Sequence, residues 1–401
     1  MVKCANCSKE AVVRLSYNKT DLCGNCFCDL FENRVKSANR DFKLITLNQK
    51  VGVGVSGGKD SAALLYVLSH IVKNIHGTTL IPILIDEGIS GYRDQAILKA
   101  RELCDSLDLQ LRIFSYKDGF KLSMDEIMKM KKANPTGGYE RSCTYCGVFR
   151  KTLLNKAALE LGCDTLAIGH NADDIAQTFL MNLLHNEPDR LKRFDVINDE
   201  VEGFVPRIKP LIYNLEKEAA LYCELKELPY HRGECPYSNE SFRGEIKNFL
   251  NGLEQKFPGV KFNLLRSYLA MRKELEKASN FERMFPNGEG FEDMEMFIKA
   301  VGMADPSLKI AGFSDDAPSK SKNEYSNDTE PQISGSKHDL SHKISFKKST
   351  ASKYQKCKNC GQNSSTGLCK ACSFIESINE KRNSANGDLN KPKRAKSAMK
   401  K

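Results

Sequence analysis

The sequence predicts an α/β protein: a parallel five-stranded sheet with helices on both faces, flanked at each end by a small cysteine-held module. Three observations lead there. Apolar strand-like runs alternate with helical periodicities through the middle of the chain. The first such run ends in a glycine turn that opens directly into a helix. Eight of the 15 cysteines fall into two sets of paired CxxC spacings, one towards each end. Strands that are apolar nearly throughout, each followed by a helix, belong to a sheet buried on both sides. Ligands of such sheets bind at the carboxyl ends of the strands.

In chain order, Cys4, Cys7, Cys23 and Cys26 come first, two CxxC pairs with fifteen residues between them, a spacing that closes a tetrahedral zinc site. KVGVGVS from Lys50 predicts the first strand and SAALLYVLSHIVKN from Ser61 the helix after it. The strand LIPILID from Leu80, the helix RDQAILKARELCDSLD from Arg93 and the strand QLRIFSY from Gln110 come next. After a gap come the helix GVFRKTLLNKAALELG from Gly147, the strand TLAIGH from Thr165, the helix NADDIAQTFLMNLLHN from Asn171 and the strand-like VPRIKPL from Val205. The stretch from Ser241 to Ala278 reads as helical, with Lys/Arg and Glu alternating as on a solvated face.

Between 314 and 352 the chain is Ser-, Lys- and Asp-rich with Tyr325 and Phe346 its only aromatics. So little apolar surface does not offset the entropy of ordering, and a flexible linker is expected that leaves the C-terminal part of the chain without a fixed position. Beyond it Cys357, Cys360, Cys369 and Cys372 repeat the paired spacing and predict a second zinc ribbon. The domain reading is an N-terminal ribbon over 1–30, the sheet domain over 31–215, a helical subdomain carrying Cys235 over 216–305, a linker over 306–353, a second ribbon over 354–378 and a basic tail over 379–401.

No apolar run reaches the length of a bilayer, and MVKCANCSKE lacks the apolar stretch of a signal peptide, so a cytoplasmic protein is expected. In a reducing compartment, grouped cysteines point to metal ligation or catalysis rather than disulfides. The net charge is +10, and the last 21 residues hold eight Lys/Arg against one Asp, which suits a polyanion such as RNA. Cys28, Cys104, Cys163 and Cys223 stand alone in helical or strand patterns and read as packing thiols.

The first strand ends in SGGKDS, Ser56 to Ser61. Glycines there let backbone N–H groups close on an anion, and the helix start adds partial positive charge, so this is a phosphate loop. Its spacing is neither that of a Walker A loop nor G-x-G-x-x-G. SGGKDS resembles the loop of the PP-loop ATP pyrophosphatases, which cleave ATP between the α and β phosphates to adenylate an oxygen. LIDEGISGYRD (84–94), CTYCGVFRK (143–151), GHNADDIAQTFLMNLLH (169–185), RIKPL (207–211) and ECPYS (234–238) further resemble the tRNA 2-thiolation group of that superfamily, which includes the cytoplasmic tRNA 2-thiolation proteins and TtuA-type relatives. The likeness runs from residue 1 to about 280 and returns at the second ribbon.

The resemblance implies an adenine-nucleotide PP-loop domain in which Ser56, Gly57, Gly58, Asp60 and Ser61 hold the pyrophosphate part of ATP and Lys59 offsets its charge. Asp86, Gly169 and His170 then line the nucleotide crevice at strand ends. Asp173 and Asp174 open a helix, where acids are favoured in any case. Beside a triphosphate they also suit Mg²⁺, and the resemblance marks Asp174 as a catalytic acid or metal-positioning residue.

The CxxC pair Cys143 and Cys146 has no second pair near it, and the family pattern brings Cys235 to it. Three readings stand. Three thiolates hold a [4Fe–4S] cluster and leave one iron open to an incoming sulfur. Alternatively, Cys143 or Cys235 carries a persulfide resolved through a transient disulfide. In the third, the three thiols and His231 hold zinc. Arg141, Arg150 and Lys151 flank the pair and suit an anionic cluster or RNA phosphate.

The implied activity is ATP-dependent 2-thiouridine synthesis in tRNA at wobble uridine 34. Sulfur comes from a ubiquitin-like carrier with a C-terminal thiocarboxylate or from free sulfide, and the assembly is a homodimer or a heteromeric thiolation complex. Rival readings are thiolation at uridine 54, another PP-loop amidotransferase or lysidine-type ligase, and a non-enzymatic zinc protein that binds RNA.

Overall fold

The computed structural model describes residues 2–134, 138–187, 190, 196–197, 202–237, 242–284 and 355–389. The linker expected over 306–353 lies outside them, as do residues 285–305 of the expected helical subdomain and the tail from 390.

The first ribbon is a hairpin of β1 (Val13–Leu15) and β2 (Thr20–Leu22) running into helix α1 (Gly24–Phe42). Cys23 is the N-cap of α1, and Cys26 lies in its first turn. One helix therefore crosses the boundary expected at residue 30. Then come β3 (Lys50–Gly54), α2 (Lys59–Val72), β4 (Thr79–Asp86), α3 (Tyr92–Ser106) and β5 (Arg112–Ser115). Two helices fill the expected gap, α4 (Tyr116–Phe120) and α5 (Met124–Ala133), the latter started by a capping box between Ser123 and Glu126. Helix α6 (Ser142–Glu160) begins five residues before the expected Gly147, so Cys143 and Cys146 sit on its first turns. β6 (Thr165–Ala167), α7 (Ala172–Leu184), β7 (Arg207–Ile208) and α8 (Glu216–Leu225) complete the sheet region. The helical stretch expected from Ser241 is two helices, α9 (Phe242–Lys256) and α10 (Val260–Met284), separated at Phe257-Pro258-Gly259, where proline removes a donor.

The five strands are all parallel in the order β5-β4-β3-β6-β7. The order reverses between β3 and β6, and the carboxyl ends of these strands are where such sheets place a ligand. Alternation along β4 shows both faces buried: Leu84 joins the core under α1, α2 and α8, while Ile83 and Ile85 face the core that holds Tyr145, Phe149 and Leu153 of α6.

The second ribbon, β8 (Gln355–Lys356), β9 (Asn363–Ser364) and helix α11 (Lys370–Leu389), departs from the expectation of a tethered module without a fixed place. Cys357, Cys369, Cys372 and Ile378 share the apolar core of α6. Phe374 packs on Tyr145 and Phe149, and Lys381 donates to the Gly138 carbonyl at 2.9 Å. α11 also continues into the stretch read as tail, through residue 389. A groove of about 510 Å³ between this ribbon and α6, lined by Phe120, Leu153, Cys360 and Ile375 among others, includes no residue of the phosphate loop.

Candidate active site at the carboxyl end of the sheet

The loop after β3 is built by its own side chains. Ser61 Oγ accepts from the Ser56 N–H at 3.0 Å and donates to the Gly58 carbonyl at 2.9 Å, and Ser56 Oγ accepts from the Gly58 N–H at 3.3 Å. Gly57 has φ 81, and a Cβ there would lie 2.2 Å from the Ala96 carbonyl oxygen of α3. Only glycine fits. Gly58 is the N-cap of α2 and supplies no side-chain cap, so the first amides of that helix are left to an incoming acceptor.

Lys59 Nζ lies 3.0 Å from Asp60 and 2.9 Å from Glu216, and Lys247 reaches the same Glu216 oxygen at 2.8 Å. Burial works against the Lys59 charge, but Asp60 and Glu216 outweigh it and hold the ammonium protonated. Asp60 also accepts from Asn171 at 3.0 Å. Asn171 and Asp174 form a capping box at the start of α7. Burial first, and then Asp60 and Glu216, push the Asp174 carboxyl up to about 6, against the Asn171 amide that lowers it; Arg243 stands 3.6 Å away. Asp173 points elsewhere: it is 3% exposed, pairs with Lys261 and accepts from the Glu216 N–H at 2.7 Å, which makes it a brace between α7, α8 and α10. Of the two acids, Asp174 is the one placed with Asp60.

Asp86 ends β4 and accepts from the Gly88 N–H at 2.9 Å. Gly169 follows β6, and a Cβ there would come within 3.2 Å of the Asp60 backbone, so its place is decided by close approach to α2. His170 is reached by solvent, yet protein packed around it and the cations Lys209, Arg243, Lys151 and Arg207 push its pKa down to about 3. Of these cations Lys151, Arg207 and Arg243 are reached by solvent, and Lys209 is buried.

The three thiols lie at the same end of the sheet. Cys143 is exposed at the start of α6, where an uncapped helix N-terminus favours negative charge. Ser142 Oγ donates to the Tyr237 carbonyl at 2.9 Å, and Cys143 Sγ is 3.9 Å from it, two residues past Cys235. Cys146 Sγ accepts from Arg150 at 3.1 Å, and the buried Tyr116 hydroxyl donates to the Cys146 carbonyl at 2.9 Å and lies 3.6 Å from its sulfur. Burial raises the pKa of Cys235, and the charges of Cys146 and Cys143 push it the same way. The segment carrying Cys235 is tied to the phosphate loop, since the His231 N–H donates to the Gly57 carbonyl at 2.7 Å. The His231 ring packs on Tyr92 with centroids 5.3 Å apart. Among the described residues, the sets whose ligand atoms all lie within 4.8 Å of one another are Cys4, Cys7, Cys23, Cys26 and Cys357, Cys360, Cys369, Cys372. The three thiols with His231 are not such a set. Cys28, Cys104, Cys163 and Cys223 are buried as packing thiols.

Sequence reasoning passed over Arg93, Glu87, Asn171, Glu216 and Arg243. Asn171 was findable as an N-cap with an acid three residues on; Glu87 and Arg93 lie inside the quoted LIDEGISGYRD but act through pairs across elements, and Glu216 and Arg243 meet the site from distant parts of the chain.

A family model described as the PP-loop domain matches residues 30–254. A probable sulfurtransferase of Methanocaldococcus jannaschii is 40% identical over 69% of this chain and 81% of its own length. The cytoplasmic tRNA 2-thiolation protein 1 of Xenopus laevis is 39% identical over 66% and 77%. The chain belongs to the tRNA 2-thiolation family of PP-loop proteins. A solved structure of this family, the U34-tRNA thiolase NcsA from Methanococcus maripaludis with its [4Fe–4S] cluster, superposes with a TM-score of 0.60 at 34% identity, covering 68% of this chain and 88% of that one. Among the described residues no helix is long and apolar enough to cross a membrane.

Proposed function

We propose that this chain is an ATP-dependent tRNA sulfurtransferase that makes 2-thiouridine at wobble position 34. The observation that carries the reading is the shared end of the sheet: an ATP-type phosphate loop and three thiols from two distant segments, joined through the Gly57–His231 bond. In the reaction, uridine O2 attacks the α-phosphorus of ATP and pyrophosphate leaves. Sulfur at the level of hydrosulfide then attacks C2, its proton passes to the base, and AMP departs with the oxygen.

Ser56, Gly57, Gly58 and Ser61 would hold the pyrophosphate by backbone and hydroxyl donors, with Lys59 neutralising its charge. Asp60 and Asp174, two carboxyls raised chiefly by burial, would hold Mg²⁺, whose preference is for hard oxygen ligands. Asp86, Gly169 and His170 border the nucleotide, and a His170 kept neutral adds no charge to the site. Lys151, Arg207 and Arg243, which solvent reaches, suit RNA phosphate, while the buried Lys209 adds only its field. Cys143, Cys146 and Cys235 would hold a [4Fe–4S] cluster, which when bound leaves one iron open to sulfur. A cluster would take one thiolate per iron, which suits sulfurs set wider apart than those of the ribbons. Each ribbon's four sulfurs suit one tetrahedral Zn²⁺ with Zn–S near about 2.3 Å. Sulfur arrives as free sulfide or from a ubiquitin-like carrier, and the setting is the cytoplasm.

The test is mass spectrometry of tRNA nucleosides, mapped by position, from cells lacking the protein and complemented with wild type, Asp60→Ala or Cys235→Ala. Only wild type restores 2-thiouridine at position 34; an unchanged level in cells lacking the protein refutes the assignment. Anaerobically purified protein should carry a visible chromophore that each of the three cysteine substitutions removes. Colourless, cluster-free and fully active protein would favour a persulfide.

A further inference from the structure

A line of side chains runs unbroken from the phosphate loop to the CxxC pair. The Arg93 guanidinium, 4% exposed, donates to the Ser56 carbonyl at 2.8 Å and to the Ile85 carbonyl. Its Nε lies 2.7 Å from Oε2 of Glu87. The other Glu87 oxygen lies 2.8 Å from Nε of Arg150, and Arg150 donates to Cys146 Sγ at 3.1 Å. Glu87 itself is 2% exposed. The participants come from four places: the loop before α2, the turn after β4, the start of α3, and α6. A buried carboxylate with a guanidinium beside each oxygen is held from two sides by charge. Arg93 Nε and Glu87 Oε2 are not aligned as a hydrogen bond, so a shift of either arginine changes the field on the carboxylate. Truncating the middle leaves two positive groups facing one another across a buried gap.

We propose that Glu87 is a positioning residue that couples the two halves of the site. A nucleotide on the loop braces the Ser56 backbone, Arg93 and Glu87 follow, and Arg150 is held on the Cys146 sulfur. Without nucleotide the line is looser and Cys146 reacts more freely. A ligand acts at a distance only through a difference in its affinity for two arrangements, and an ion-paired line through the core supplies a physical path for that difference. The inference rests on reading Ser56–Ser61 as the nucleotide loop, so nucleotide binding is measured separately.

The full chain, free of cluster and supplied with zinc, is treated with iodoacetamide at fixed pH with and without α,β-methylene ATP. Modification of Cys146 and Cys143 is followed by peptide mass spectrometry, and binding of the analogue by calorimetry. In wild type, saturating analogue slows Cys146 labelling about fivefold. In Glu87→Gln the analogue still binds, but its protection of Cys146 falls below about twofold. Arg150→Gln breaks the line at its half-exposed end, leaves Glu87 paired with Arg93, and gives the same loss. Protection that survives undiminished in both variants is occlusion by the nucleotide and overturns the coupling. So does a wild-type labelling rate indifferent to bound analogue. Failure of the analogue to bind wild type overturns the nucleotide reading and the coupling with it.

Discussion

The rings of Tyr145 and Phe374 meet edge to face, with centroids 4.9 Å apart and planes at 71°. This contact seats the helix of the second ribbon on the helix that carries Cys143 and Cys146. Such pairs contribute about 0.5–1.5 kcal/mol beyond the area they bury. Phe374 is only partly buried, so Phe374→Ala should cost about 2 kcal/mol, below the range for a fully buried phenylalanine. Hydrogen exchange should then speed up at the α6 amides of residues 142–160 before it does in β3 or β4. Unchanged protection of α6 would show that the ribbon merely rests on it.

Lys59 answers to two carboxylates, and those carboxylates are not equal. Glu216 keeps Lys247 if Lys59 is lost, whereas Asp60 keeps, among the described residues, the Asn171 amide and no cation. Lys59→Met should therefore weaken binding of a non-cleavable ATP analogue by about ten- to a hundredfold, the loss of a charge-assisted contact of roughly 1.5–3 kcal/mol. Lys247→Met should change it far less, because Glu216 retains Lys59. Calorimetry on the two variants separates them; equal affinities would make Lys59 a structural counter-ion.

How much of the protein is legible in its sequence depends on how local each signal is. β3 and β4 were legible because strands buried on both faces are written as unbroken apolar runs, and the phosphate loop because Gly57 meets a demand no other residue satisfies. The start of α6 was misplaced since Ser142–Gly147 has no apolar periodicity; Tyr145 is held there by Phe374 from the far end of the chain. α4 has only five residues, too few to show a period. The split between Asp173 and Asp174 was hidden because it is not local, as the partners of Asp173 lie 88 and 43 residues away. Glu87 and Arg93 stand within LIDEGISGYRD, but their roles come from pairing across elements.

Asp174 gives a pH signature. Its folded pKa lies near 6 against an ordinary value of 3.8, with burial as the main cause. The folded state thus keeps a proton that the unfolded chain has released between those values. Charging this carboxyl costs stability as pH rises through that window, and the cost is full above about pH 6. With its side chain 31% exposed, the penalty is about 1–2 kcal/mol after allowing for solvent screening. Asp174→Asn should raise the urea midpoint at pH 7.5 and leave it unchanged near pH 4, while abolishing thiolation. A midpoint shift of equal size at both pH values would assign the effect to packing instead of charge.

The two ribbons should hold two zinc ions per chain, and their removal should have a consequence at α6. β8 and β9 have two residues each, so the second ribbon has little core of its own, and metal binding to such a module is folding free energy. Chelation should release Cys357, Cys369 and Cys372 from the core they share with Phe149 and Leu153, and open α6 to exchange as Phe374→Ala does. Because both changes act through one interface, their effects should be less than additive. Exchange in chelated wild type, chelated Phe374→Ala and their zinc-loaded forms closes this cycle. Full additivity, or a chelated protein whose α6 stays protected, would mean that the ribbon keeps its seat without metal.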